Sequence, residues 1–117
     1  MNTQILAEKR CHDRQMLNRK VTITTEDVTL NDLKMVDIST CGLSLLSPKT
    51  LPEQSIVNLH FSLPAYDKNT SLNITGKIVR STQTHQQHLL GIQFQNPSQH
   101  DLLIMKEFFI YHHRFDA

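Results

Sequence analysis

The sequence has little of several residue types, and each shortage excludes a class of protein. Its 117 residues include three glycines, four prolines and no tryptophan, which excludes a collagen-like or low-complexity chain. The two cysteines, Cys11 and Cys41, cannot build a disulfide framework, so we expect two reduced, unpaired thiols. No apolar run approaches the roughly 20 residues that span a bilayer, and the first ten residues lack the order of a signal peptide. We therefore expect one cytoplasmic domain without membrane insertion.

The charges are few and unevenly placed. The net charge is +1, which argues against a general nucleic-acid binder, because that function needs a basic face. Residues 1–20 hold five basic and two acidic side chains, or +3, and the remaining residues hold seven and nine, or −2. A small basic head on a mildly acidic body suits a small anionic ligand, although a solvated basic arm is an alternative interpretation.

From residue 20 onward, apolar and polar residues alternate with the period of two that is typical of half-buried strands. Six short runs show this pattern: Val21–Ile23, Leu33–Ile38, Leu43–Leu45, Ile56–Leu63, Leu72–Ile78 and Leu90–Phe94. Gly76 interrupts the fifth run, where we expect a bulge or bend. Six strands at this spacing predict a mainly β protein with a six-stranded antiparallel barrel, because closure of the sheet removes its exposed edges.

The C-terminal part changes to a helical period. Ser98 can cap a helix, with Asp101 three residues later in a capping-box arrangement. Two apolar stripes follow, Leu102, Met105 and Phe109 on one face and Ile104, Phe108 and Tyr111 on a neighbouring one. We expect the first stripe to cover the barrel. The second either widens the buried face or forms a surface for self-association, such as a homodimer through this helix.

Two motifs could carry binding chemistry. Arg10 and Arg14 lie four residues apart in the basic head, and guanidinium groups grip phosphate in a forked geometry or stack on a base. Asp37, Ser39 and Gly42 form the pattern D-x-S-x-x-G between two predicted strands. A carboxylate can accept both N–H groups of a guanine edge, and glycine permits close backbone approach. Alternatively, the aspartate and serine bond only the local backbone of a turn.

Together, the two motifs resemble the PilZ domain family of bacterial receptors for cyclic di-GMP. Its pattern is R-x-x-x-R in an N-terminal segment, then [D/N]-x-S-x-x-G early in a six-stranded barrel, with a helix after the last strand. The residues 76–80 and 90–94 also look like the last two strands of this family. The resemblance implies a flexible N-terminal segment over residues 1–19 and a barrel with its C-terminal helix over residues 20–117.

The resemblance further implies a function without catalysis or a cofactor. Arg10 and Arg14 would grip phosphate and guanine, Asp37 and Ser39 would fix a guanine edge or the arginines themselves, and Gly42 would permit close approach. Ligand would order the N-terminal segment, and an unidentified downstream protein would detect the change. Lys9 and Arg80 are further candidates for contact with the same ligand. Arg80 is also typical of an ordinary surface arginine at the end of a strand.

Other functions fit the sequence less well. A protein-interaction adaptor acting on motility, pilus or polysaccharide machinery, with little nucleotide dependence, is the main alternative. A nucleic-acid-binding barrel of the OB type would need more aromatic stacking positions than the strands offer. The pairs His85 and His88, and His112 and His113, lack further ligands at metal-binding spacing. No nucleophile lies beside a base in the sequence, and redox coupling of the two cysteines is less favoured than free thiols.

Overall fold

The computed structural model describes residues 14–65 and 68–116, with side chains described as far as Ile110. Its elements are β1 Gln15–Thr24, β2 Thr29–Ile38, β3 Gly42–Ser47, β4 Ile56–Ala65, β5 Lys68–Thr84, β6 Gln87–Phe94 and the helix α1 Gln99–Asp116. The strands close into an antiparallel barrel in the order β1-β2-β3-β6-β5-β4. The predicted fold, a six-stranded barrel followed by a helix, is confirmed.

The alternation of side chains places one apolar row of every strand inside the barrel. In β4, Val57, Leu59, Phe61 and Leu63 are buried, while the residues that alternate with them face outward. Burial of each such side chain contributes about 1.5–3 kcal/mol. Phe61 and Phe94 stack inside the barrel with ring centroids 6.5 Å apart. The interior is therefore filled with side chains and leaves the outer wall for ligands.

The first strand begins earlier than its apolar residues indicate. Gln15 pairs with Ile38 and Met16 with Asp37, so residues 15–19, which the resemblance assigns to the N-terminal segment, belong to β1. Their alternation is hidden in the sequence because the half-buried positions are held by residues such as Arg19 as well as Leu17. The consequence is that the end of the first motif runs alongside the end of β2.

The bulge in β5 is not at Gly76, where we expected it. Gly76 pairs regularly with Val57 and Phe94, and the shift in register falls between Ile78 and Arg80. Gly76 faces the core, and a Cβ atom there would lie 2.5 Å from the Ile92 side chain. The glycine therefore makes room for packing, and the bulge two residues later turns β5 outward at Val79 and Arg80.

The helix begins as predicted but buries a different face. The Asp101 N–H donates to the Ser98 hydroxyl at 3.0 Å, an N-terminal cap. Ile104, Met105, Phe108 and Phe109 are buried, and the helix packs against β4 and β5. Leu102 is 41% exposed, so its assignment to the covering stripe is wrong, and the wider buried face is the correct alternative. The side chain of Tyr111 lies outside the described residues.

Candidate functional site

Arg14 and Asp37 form an ion pair that joins the two sequence motifs. The Arg14 Nη1 donates to Asp37 Oδ1, because the pairing of Met16 with Asp37 aligns the start of β1 with the end of β2. The Arg14 side chain is 43% exposed and that of Asp37 16%. A guanidinium has five N–H donors and this bond uses one of them. The pair therefore fixes a cation at the surface while donors remain for a ligand.

Ser39 shapes the turn between β2 and β3. It is fully buried, and its hydroxyl accepts the Cys41 N–H at 3.2 Å and donates to the Gly42 carbonyl at 3.4 Å. The Ser39 N–H also donates to that carbonyl, at 2.8 Å. For this residue the structure matches the alternative in which the side chain bonds local backbone, and contact with a ligand stays a prediction.

Gly42 allows two backbones to approach closely. A Cβ atom at Gly42 would lie 2.1 Å from the Ile92 carbonyl oxygen on β6, a distance that no side chain tolerates. Beside it, the Phe94 N–H donates to the Cys41 carbonyl at 2.8 Å. The close approach expected at this glycine is therefore present, and in the structure it is an approach to the neighbouring strand.

One row of outward positions crosses four strands beside the ion pair. Asp37 is paired with Ser44, Ser44 with Gly91, and Gly91 with Arg80. Neighbouring strands lie about 4.8 Å apart, so the row spans roughly 14 Å from the carboxylate to the second arginine. A cleft of about 490 Å³ lies over this row, with Arg14 also on its border. The site thus has a cation at each end and a narrow polar floor between them.

The structure brings some of the expected site residues together and adds others. Arg14, Asp37 and Gly42 line the cleft, as does Arg80, the further candidate. Arg10 and Lys9 lie outside the described residues. Sequence reasoning missed Ser44 and Gly91, which belong to no motif. Their outward alternation in β3 and β6 was visible, but the register that places them side by side was not.

The expectation of a free thiol at Cys41 is wrong, because this residue is disulfide-bonded. The ion pair of Arg14 with Asp37 brings two distant parts of the chain together close to the turn that holds Cys41. Within the described part of the chain, no group of three or more histidines, cysteines or carboxylates could hold a metal ion. In that same part, no helix is long and apolar enough to cross a membrane.

The chain matches a known family over most of its length. The family model of the PilZ domain matches residues 8–110. The chain belongs to the PilZ domain family. The match includes both motifs, the cleft and most of α1, so the predicted family is confirmed. A comparison with curated protein sequences gave no match.

Solved structures share the fold of this PilZ domain. The inhibitor of motility MotI/DgrA from Bacillus subtilis superposes with a TM-score of 0.76 at 12% identity, covering 87% of this chain and 50% of its own. YcgR from Escherichia coli, solved in complex with c-di-GMP, gives 0.71 at 15% identity, covering 88% and 45%. A tetrameric PilZ domain from Xanthomonas campestris, self-assembled through a helical bundle, gives 0.58 at 20%, covering 78% and 49%. The chain thus spans about half the length of these proteins.

Proposed function

We propose that this PilZ domain is a receptor for cyclic di-GMP that acts without catalysis and passes the ligand state to another protein. The observation that carries the proposal is the ion pair of Arg14 and Asp37 on the border of the outer cleft. It brings the one described arginine of the first motif to the acidic residue of the second. YcgR, which shares the fold, was solved in complex with the same ligand, and membership of the family supports the assignment.

The chemistry of the cleft suits such a ligand. Cyclic di-GMP carries two phosphates and two guanines, so it needs cations, flat donors and an acceptor for the N–H groups of a guanine edge. Arg14 and Arg80 offer forked donors at the two ends of the cleft. Asp37 can accept from guanine or hold the Arg14 guanidinium in place for the phosphate. Arg10 of the same motif would add a cation, and so would Lys9 directly before it.

The N-terminal segment is the proposed signalling element. Its last residues pair with β2, and Arg14 lines the cleft. Arg10 is only four residues before Arg14 in the sequence, so a short length of chain separates it from a ligand in the cleft. Ligand would hold Arg10 and Arg14 against one anionic molecule and so order the segment on the barrel, a change that a downstream protein can detect.

The helix offers a contact surface to a second copy of the chain. Leu103 and Ile110 are 55% and 53% exposed and lie seven residues apart on the solvent side, with Lys106 between them. In an antiparallel pair of α1 helices that places Leu103 opposite the partner's Ile110, Lys106 would lie opposite the partner's Glu107. By symmetry, Glu107 would lie opposite the partner's Lys106. This complementarity favours a homodimer through α1. The tetrameric Xanthomonas domain assembles through a helical bundle.

Calorimetric titration tests the receptor function. The purified chain should bind cyclic di-GMP and show at least tenfold weaker binding of cyclic di-AMP and GTP, because only the first offers two guanines and two diester phosphates together. Equal binding of all three nucleotides would show that the site binds anions in general and does not recognise cyclic di-GMP. No binding of any of them would favour the alternative, an adaptor for motility, pilus or polysaccharide machinery with little nucleotide dependence.

A further inference from the structure

The outward row across the cleft has one position without a side chain. Gly91 on β6 lies between Ser44 on β3 and Arg80 on β5, paired directly with both. Because it faces outward in the middle of the row, its missing side chain exposes the backbone of β6 to the cleft. The floor of the site is therefore a bare peptide surface between a hydroxyl and a guanidinium.

The fold does not require glycine at this position, in contrast to the other two glycines. A Cβ atom at Gly42 or Gly76 would lie 2.1 or 2.5 Å from an atom of Ile92, whereas at Gly91 it would make an ordinary contact of 3.4 Å with the Arg80 Cβ. No glycine among the described residues has a positive φ angle. Glycine also weakens the interior of a strand. The open backbone at Gly91 therefore costs stability without helping the barrel to pack.

The surroundings of Gly91 suit a flat ring. Leu89, two residues earlier on the same face of β6, lines the cleft beside it. Val79, at the bulge of β5, is 42% exposed and lies on the same cleft. A flat peptide surface with aliphatic side chains near it and the Arg80 guanidinium at one edge can bind the face of an aromatic base, with the polar groups at the edge of the ring.

From this geometry we infer that Gly91 is the binding position for the face of one guanine base. The base lies against the backbone of β6 with Ser44 and Arg80 at its two sides and Leu89 along it. Any side chain at position 91 would hold the ring away from this surface. The inference rests on the proposed receptor function and deepens it, because it names the part of the ligand that this half of the cleft recognises.

Two variants of graded size, Gly91→Ala and Gly91→Val, test the inference by calorimetry with cyclic di-GMP. A larger side chain holds the ring further from the strand, so we expect a partial loss of affinity with alanine and roughly tenfold or more with valine. Thermal unfolding should show equal or higher stability, because both residues suit a strand better than glycine. The matched control is Asn73→Val, an exposed outward position of β5 paired with His60, which should bind as the parent does.

A magnetic-resonance measurement adds a direct readout. In the complex, the guanine H8 proton should show nuclear Overhauser effects to the Leu89 methyl groups, and Gly91→Val should abolish them. If the parent chain binds cyclic di-GMP and Gly91→Val binds it equally well, the inference is overturned while the receptor function stands. If the parent does not bind at all, both are overturned. Should the valine variant unfold, the alanine variant decides, since its added atom makes only an ordinary contact.

Discussion

Arg14 and Asp37 are separated by 23 residues in the sequence and are joined by an ion pair in the structure. The pair links the N-terminal motif to the second strand. An ion pair this exposed contributes little to folding, typically about 0–1 kcal/mol. Its main consequence is therefore positional, because it holds a cation at the border of the outer cleft.

Replacing Arg14 by alanine should weaken binding of cyclic di-GMP tenfold or more. The reason is the loss of charge-assisted hydrogen bonds to the ligand, each worth about 1.5–3 kcal/mol. Calorimetry measures the change. The matched control is Arg19→Ala. It removes a guanidinium from β1, the strand that follows Arg14. This guanidinium bonds Asn69 at 2.9 Å and does not line the cleft. An equal loss in both variants would show that general charge, and not the position of Arg14, governs binding.

A double-mutant cycle on Arg14 and Asp37 separates positioning from stability. In the absence of ligand, the coupling between Arg14→Ala and Asp37→Ala in the free energy of unfolding should be below about 1 kcal/mol, because the pair is partly exposed. In ligand affinity the coupling should be larger, since each residue then acts on the same bound molecule. Denaturant unfolding and calorimetry on the four proteins provide the two values. If the coupling free energy were larger in unfolding than in ligand binding, the ion pair would serve the stability of the fold and not the binding of the ligand.

Ser39 and Gly42 should affect the barrel more than they affect the ligand directly. Ser39→Ala removes a buried hydroxyl that bonds two backbone groups, and we expect a loss of about 1–2 kcal/mol in the free energy of unfolding. Gly42→Ala should cost more, about 2–3 kcal/mol, because the added atom overlaps the Ile92 carbonyl. Urea denaturation measures both. Wild-type stability in the Gly42 variant would contradict the close approach of β3 and β6.

Ligand should slow hydrogen exchange in the N-terminal segment. We expect protection over residues 5–14, which precede β1, when cyclic di-GMP is added, because the arginines of the first motif become fixed to the bound molecule. Peptides covering residues 56–65 serve as the internal control, since β4 does not line the cleft. Unchanged exchange over residues 5–14 in a chain that binds ligand would show that the segment is not the signalling element.

Reversing a charge on α1 should change the association of two chains. Lys106→Glu places like charges opposite each other in the proposed antiparallel helix pair, so analytical ultracentrifugation should show a shift from dimer to monomer. Adding Glu107→Lys to the same chain restores opposite charges and should restore the dimer. A parent chain that is monomeric at all concentrations, or a double variant that behaves like the single one, would overturn this contact.

Local patterns in the sequence predicted much of this molecule, and long-range register supplied the rest. Alternation in β4 and the cap at Ser98 depend on neighbouring residues only, so both could be predicted. The bulge near Val79 could not, because it depends on how β5 matches β6. The prediction that Leu102 covers the barrel was wrong because the helix has two apolar stripes, and only its packing against β4 and β5 decides which residues are buried.

The site residues also fall into those that local patterns predict and those that depend on strand register. Arg14, Asp37 and Gly42 stand in motifs whose spacing is visible in the sequence, and the structure places all three at the cleft. Ser44 and Gly91 become neighbours only through the pairing of β3 with β6, which no local pattern encodes.

A crystal structure of the chain with cyclic di-GMP tests the central claim most directly. We predict the ligand in the outer cleft, with the Arg14 guanidinium within hydrogen-bond distance of the ligand and of Asp37, and with Arg80 at the opposite end. A ligand bound elsewhere on the barrel, with Arg14 and Asp37 making no contact to it, would contradict the proposed receptor site.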